Sequence, residues 1–573
     1  MKYVKYILLL VVTAFCMSCS RVLDKTPQGV ISGDDLNTPE NVDKMVIAAY
    51  SGLGNDNIHT SFSLWPWGSM RSGDAYKGGD SPGDNTDWNN YEIFSGNRPE
   101  IGNTDEMWYY LYIGVSRAND ALRRINQMNE SNYPHKKVRQ AEARFIRGHF
   151  YFLLKILFKY VPFIDETIPE IKYGEVSNKA LSNDALWDKI ADDFRFGVEN
   201  LPVKQPEKGR VNKAGAAAYL AKTLLYQAYT QDENNNVVAV NQQKLQDVIA
   251  LCDQVTASGL YQLSPDFANN FLGQFDNGVE SVFAVQYSKD DGTPKGRLNM
   301  GVALNYPMNK DFGCCGFHLP SQNLVNAFKT DNAGLPMFDT FNKVDVKEGA
   351  DFTNNTFDPR LDHTVAIPGH PYKYSEAFVY EKTWARAPQI YGYFSSLKET
   401  VAPDDPFFQK VPPFMSSAKN YEVIRYADVL LWKAEALIQL NRINEALPLI
   451  NDIRSRAMVS TAKLKYTDGT FFSNYKMDIY KPGINCNWTK DFAWKALVWE
   501  RRLEFAMEGN RFFDLVRWGI AAEYLNKYFQ EESSKRVYLK DAHFQKNRDE
   551  YLPIPLPQMN YSRGVYTQNI GWQ

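Results

Sequence analysis

The residues best equipped for chemistry in this chain are aromatic rings set among hydrogen-bonding side chains in polar segments. Trp65-Pro-Trp67 is followed by Arg71, Asp74 and Tyr76, and then by Asp87-Trp88-Asn89-Asn90-Tyr91. A second group surrounds Gly313-Cys314-Cys315-Gly316, with Phe312, Phe317 and His318 beside it. A third holds Trp384, Arg386, Tyr391 and Tyr393. A flat ring stacks on an apolar ligand face, and each such contact contributes on the order of 0.5–1.5 kcal/mol beyond area burial. Arg, Asp and Asn bond a polar rim. A sugar ring offers both surfaces. Trp88 is flanked only by polar residues, so neither helical nor strand periodicity accounts for it. Trp65 and Trp67 alternate as in a half-buried strand, which favours packing and leaves Trp88 the stronger candidate. Packing within the loops competes with ligand contact at every one of these positions.

Catalytic signatures are hard to find. The chain holds no H-E-x-x-H and no G-x-x-x-x-G-K, its one G-x-S-x-G match is the turn-rich Gly79-Asp-Ser-Pro-Gly83, and among its many carboxylates nothing singles out a glycosidase pair. Its 7 histidines are scattered, and His149 falls inside an apolar helical stretch, as a satisfied core residue does. The densest charge pattern runs from Glu500-Arg501-Arg502-Leu-Glu504 through Glu508-Gly-Asn-Arg511 to Asp514 and Arg517. Glu and Arg stand there at i, i+3 and i+4 spacing between apolar residues. That predicts a partly buried ion network with a structural role. A net charge of −3 provides no basic field for nucleic acid. Beyond the N-terminal Cys16 and Cys19, the four remaining cysteines (252, 314, 315 and 486) form no C-x-x-C pair for zinc, so no cofactor is expected, although Asp- and Asn-rich loops leave room for structural calcium. Cys314 and Cys315 are adjacent, with Cα atoms about 3.8 Å apart, so a bridge between them is strained. A vicinal disulfide and two free thiols both remain open.

The elements that must position these residues are mostly helical. Apolar residues recur at 3–4 spacing over 104–128, 141–160, 184–201, 213–229 and 242–257. Pro162 and Pro202 stop two of these stretches, and Gly259 follows the last. The same period returns over 424–440, 445–457, 491–508 and 512–529. Ala434 and Ala446 are small residues twelve apart that let paired helices touch, as in degenerate tetratricopeptide repeats. Pro448 falls near the start of its helix, where its missing N–H matters least. Residues 261–423 are rich in Gly, Pro, Asn and aromatics and read as a loop-rich insertion rather than a second domain.

The N-terminus reads as an export signal over 1–18. Lys2 and Lys5 precede an apolar run over 7–15 that is too short to span a bilayer, which needs about 20 residues. The run ends in Cys16-Met17-Ser18-Cys19, and Cys19 is the expected lipid acceptor; acceptance at Cys16 and an ordinary secretory cleavage that leaves Cys19 a free thiol are the alternatives. Stable attachment needs more than one acyl chain, at about 0.8 kcal/mol per buried methylene.

Several blocks, in order along nearly the whole chain, resemble the SusD/RagB family of starch-binding outer-membrane lipoproteins. They are Cys19-Ser-Arg-Val-Leu-Asp24 with Pro27; Trp108 to Asn119; Ala141-Glu-Ala-Arg-Phe-Ile-Arg147 through Val161-Pro162; and Pro320 to Phe328. Asp358-Pro-Arg-Leu361, Ile424-Arg-Tyr-Ala-Asp428 through Ala436, Glu500-Arg-Arg502 through Gly519, and Leu552-Pro-Ile-Pro555 near Gln568-Asn569 follow. Gly148 and Phe158-Lys159 depart from the expected Ala and Phe-Gly. The resemblance implies a mainly α fold, with tetratricopeptide-like helix pairs over about 40–260 and 424–530 and one mixed variable region, forming a single ligand-binding domain over 19–573. It implies a cell-surface protein, anchored in the outer membrane through Cys19, that binds an oligo- or polysaccharide. Such a protein is the lid of a SusC-like, TonB-dependent β-barrel transporter. Peptide binding by the same architecture is the alternative. A surface glycoside hydrolase and a helical protein-binding scaffold are the other classes. The ligand contacts carry over to no single position, so Trp88, Trp384, Arg386, Tyr391, Trp65, Trp67, Arg71, Asp74, Cys314 and Cys315 stand as candidates on chemistry alone.

Overall fold

Polar caps begin several helices where the apolar period begins. The computed structural model describes residues 37–293 and 296–573; the signal segment and Cys19 lie outside them. Helix α1 is Pro39–Ser51, α2 is Thr86–Ile93, α3 is Gly102–Gln127 and α4 is Lys136–Phe158. Helices α5 (Asn183–Asn200), α6 (Lys213–Ala228) and α7 (Gln242–Ala257) follow. The side chains of Ser182, Asn212 and Asn241 accept backbone N–H groups in the first turns of α5, α6 and α7, which removes an orphan donor from each. After the insertion come α8 (Tyr426–Gln439), α9 (Ile443–Val459), α10 (Lys490–Glu504), α11 (Arg511–Arg517) and α12 (Ala521–Glu532). The fold is mainly helical, with helix pairs of the tetratricopeptide kind.

Each helix from α3 to α7 packs on the next, and α7 packs on α8 across the insertion. Close approach needs small residues. A Cβ on Gly114 of α3 would lie 2.3 Å from the Phe150 ring of α4, so that contact requires glycine. At Gly148, where Ala was expected, an added Cβ would meet the Phe194 ring at 3.0 Å; the ring takes up the room.

Strand β1 is Ala75–Gly78, β2 is Ser281–Val285 and β3 is Phe317–Pro320. Hairpin strands β4 (Phe408–Val411) and β5 (Phe414–Ser417) precede β6 (Tyr421–Arg425). Strands β2 and β6 pair antiparallel, with Tyr421 opposite Val285 and Arg425 opposite Ser281. This zips the two ends of the insertion together beside α6 and α8. The insertion carries satellite cores. Tyr306, Phe312, Tyr372, Tyr380 and Met415 form one. Phe328, Phe352 and Leu361 join Leu503 and Met507 in another.

The Arg–Glu pattern is a buried ion network. Glu504 pairs with Arg360 at 3.0 Å, with Arg425 at 2.8 Å and with Arg456. Glu280 pairs with Arg425 and Arg456 at 2.6 Å each. Asp358 and Glu500 hold Arg360 at 2.7 Å each. Burial alone raises the pKa of Glu504, but Arg456, Arg425 and Arg360 outweigh it and hold the carboxyl well below its ordinary range. The network ties the insertion to the C-terminal helices. His149 is buried and shares a 2.9 Å hydrogen bond with the Tyr219 hydroxyl.

Three local expectations differ from the structure. The stretch 512–529 is two helices, because Gly519 at φ +74° turns the chain between them. Pro448 stands inside α9, which begins at Ile443. Trp65–Ser69 forms a single wide helical turn rather than a strand.

Candidate functional site

The pairing of β1 with β3 sets Gly78 opposite Phe317 and draws the 79–84 loop against the 313–316 turn. The N–H of Gly79 donates to the Gly316 carbonyl at 2.7 Å. Gly78 has φ +82°, and a Cβ there would lie 2.3 Å from the Gly316 oxygen, so only glycine permits this approach. The buried Lys77 ammonium donates to the carbonyl of Ser81 at 2.9 Å and to that of Asp84. It also sits 5.3 Å from the Phe317 ring centre and 5.9 Å from that of Tyr391. Burial pulls its pKa below the ordinary lysine value, and Glu92 and Asp84 oppose that pull. Burial likewise pushes the Glu92 carboxyl up.

Arg386 locks loop and turn together. Its guanidinium pairs with the Asp84 carboxylate at 2.9 Å and donates to the Cys315 carbonyl at 3.1 Å. The two side chains remain 27% and 30% exposed. The Asp84 carboxylate also accepts the Asp80 N–H at 3.0 Å. Two residues before Arg386, the carbonyl of Trp384 accepts the Met308 N–H at 2.9 Å. The Trp384 ring rests against Phe312, Tyr372 and Tyr380 at centroid distances of 6.2, 5.9 and 5.5 Å. It is half-buried, so part of the indole faces solvent. Cys314 packs against the same satellite core, and its sulfur is paired with that of the buried Cys315. A half-exposed indole beside a guanidinium–carboxylate pair can stack a flat apolar face and bond hydroxyl groups at its edge.

The structure brings Trp384, Arg386 and Cys314 to one surface, with Cys315 buried beneath it. It withdraws the other candidates from it. Trp88 is not in a loop: it lies in α2, is 0% exposed, and packs 4.8 Å from Trp65 and 5.6 Å from Phe317. A surface stripe shared by Trp88 and Trp384 therefore does not form. Trp65 is buried, stacks 5.1 Å from His318 and donates its indole N–H to the Gly301 carbonyl at 2.9 Å. Trp67 is buried 4.9 Å from Tyr91. Arg71 is buried with its guanidinium 4.0 Å from the Phe512 ring centre and donates to the Asp549 carbonyl at 2.7 Å. Asp74 is buried against Arg502 at 2.8 Å. Tyr391 is buried 5.1 Å from Tyr538, beneath Lys77. Polar neighbours in sequence had suggested exposed loops. Helix α2 and the 65–69 turn instead aim these rings inward, and even Asn89 of α2 is buried with them.

Lys77 and Asp84 were missed. The signal was the Gly-Gly-Asp and Gly-Asp pairs of 78–84, a turn-rich run between strand and helix. Among the described residues no group of three or more His, Cys, Asp or Glu stands close enough to hold a metal ion, and no helix is long and apolar enough to cross a membrane.

A SusD family model matches residues 279–572, and a second one, described as starch-binding associating with outer membrane, matches 23–225. The chain belongs to the SusD family. Among its relatives, SusD-like protein P2 of Formosa agariphila is 22% identical over 99% of both chains. A SusD-like protein of Bacteroides fragilis has the same fold, with a TM-score of 0.70 at 20% identity over 96% of this chain and all of that one. So does the surface glycan-binding protein A of Bacteroides thetaiotaomicron in complex with laminarihexaose. Its TM-score is 0.66 at 20% identity, over 93% of this chain and 99% of that one. The SusD fold thus accounts for the helix pairs, and the segment between α7 and α8 supplies the Trp384 surface.

Proposed function

We propose that this SusD-family protein captures an oligo- or polysaccharide at the Trp384–Arg386–Asp84 surface without cleaving it. The half-exposed indole beside a locked guanidinium–carboxylate pair carries this reading. Support comes from a solved relative of the same fold that holds laminarihexaose. In this reading Cys19 carries lipid and tethers the protein to the outer membrane. The folded body faces outward and acts as the lid of a SusC-like, TonB-dependent β-barrel, into which it delivers ligand. The vicinal Cys314–Cys315 pair stiffens the turn beneath the ligand.

A glycan array, followed by calorimetry on the best ligand, tests the binding step. Trp384→Ala is expected to weaken binding about five- to tenfold, the equivalent of losing one ring contact of about 1–1.5 kcal/mol. Arg386→Ala is expected to do the same by freeing the 79–84 loop. Unchanged affinity in both variants would remove this surface as the site. Release of shorter sugars on prolonged incubation would favour a hydrolase, and binding to peptides but no glycan would favour the peptide alternative.

A further inference from the structure

The exposed side of α10, the helix α12 and the segment 337–343 enclose a second cleft, of about 590 Å³. Its walls are four half-buried rings: Phe338, Phe341, Trp499 and Tyr524. Phe338 and Phe341 meet Trp499 edge to face, with centroids 5.4 and 5.0 Å apart. Such T-shaped contacts fix the indole plane and leave ring surface facing the cleft. Tyr528, only 5% exposed, lines it from below.

Two hydrogen-bonding groups of this wall lack a partner among the described residues: the Trp499 indole N–H and the Tyr528 hydroxyl. Buried donors without partners are uncommon in folded chains; both atoms are sealed within the wall and do not open onto the cleft. The rim is polar and already organised. Asn342 donates to the Glu531 carboxylate at 2.9 Å and accepts from the Lys535 ammonium at 3.0 Å. Lys535 also pairs with Asp345 at 2.7 Å. Lys343 and Lys527 line the same rim without a partner among the described residues, so their ammonium groups are open to the hydroxyls of a ligand. The volume lies within the range of small-molecule sites, about 300–1,000 Å³. Flat rings on the wall and free ammonium donors at the rim together match a hydroxyl-rich ring with an apolar face.

We infer that this cleft is a second saccharide site, separate from the Trp384 surface, which takes one or two sugar rings of the captured glycan. The inference rests on the glycan-binding reading above. Two footholds on one chain would raise the apparent affinity for a long polysaccharide over that for a short fragment.

The test is calorimetry with neutral hexasaccharides from β-1,3-, β-1,4- and α-1,4-glucan, xylan and mannan, together with their parent polymers. Four proteins are compared: the unaltered chain, Trp384→Ala, the triple variant Phe338→Ala/Trp499→Phe/Tyr528→Phe, and the combination. Tyr528→Phe keeps its ring and deletes only the hydroxyl, Trp499→Phe exchanges the indole for a smaller ring without the N–H, and near-UV circular dichroism checks that the fold is kept. The expected result is residual hexasaccharide binding in Trp384→Ala that falls at least fivefold in the combination, with a similar fall in polymer avidity for the triple variant alone. If glycan binds the unaltered chain and the triple variant equally, or if the cleft takes only peptides, the second site is wrong and the Trp384 site stands. If no glycan binds the unaltered chain, the glycan reading itself falls and takes this inference with it.

Discussion

Replacing Glu504 by Gln perturbs the centre of the buried network and isolates its energetic logic. Five carboxylates, those of Glu280, Asp358, Glu500, Glu504 and Glu508, face five cations, those of Arg360, Arg425, Arg454, Arg456 and Lys398. The substitution leaves one positive charge without a counter-charge. Arg360 keeps Asp358 and Glu500, and Arg425 keeps Glu280 and Glu508. Arg456 keeps only Glu280. Stranding a buried charge costs about 3–5 kcal/mol, whereas replacing a whole buried pair with apolar groups is often neutral. Glu504→Gln is therefore expected to lower unfolding free energy by about 3–5 kcal/mol in urea at pH 7, followed by tryptophan fluorescence. Adding Arg456→Met removes the stranded charge and should restore part of the loss. The sign with pH follows from the depressed carboxyl. Its contribution is present above the ordinary Glu value of 4.5 and is lost as pH falls below it, so the gap between the two proteins should narrow under acid. A loss below about 1 kcal/mol at pH 7, or a double variant no better than the sum of the single changes, would refute the reasoning.

Asp428 titrates in the opposite sense. Burial pushes its pKa up to about 6 against the pull of Arg501, Lys222 and Arg425. Its stabilising effect is complete below the ordinary Asp value of 3.8 and is lost as pH rises through about 6. Asp428→Asn should thus gain on the unaltered chain as pH rises from 4 to 7, read as the difference in thermal midpoint. A Cβ on Gly68 would lie 1.7 Å from the Gly509 carbonyl oxygen. Gly68→Ala should therefore cost about 3 kcal/mol or more, seen as a lowered midpoint and poor soluble yield. Cys19→Ala should leave the purified protein's glycan affinity unchanged but release it from the outer-membrane fraction, and retention there would argue against the anchor.

The helices were legible because their signals are local. A 3.6-residue apolar period, a capping Asn or Ser and a stopping Pro each act within a few residues, so α3 to α7 and α8 to α10 could be placed from the chain alone. The Arg–Glu spacing at 500–517 likewise announced an ion network before its partners at Glu280, Asp358 and Arg425 were in view. Ordered family blocks added what spacing cannot supply, namely the arrangement of helix pairs about a variable region.

Burial in the irregular segments was not legible. Trp88 and Trp384 look alike in sequence, each in a polar, aromatic-bearing stretch. Trp88 is sealed because β1 pairs with β3, a partner some 240 residues away in sequence, and that pairing lays Phe317 over it. Trp384 stays half-open because its neighbours Phe312, Tyr372 and Tyr380 support only part of its ring. Nor does any local pattern bring Asp84 to Arg386 or Tyr528 to Trp499. The chain by itself determined which segments are helical and which side chains are equipped to hold a sugar. The tertiary structure decided which of them face solvent, because exposure depends on partners distant in sequence that no local period encodes.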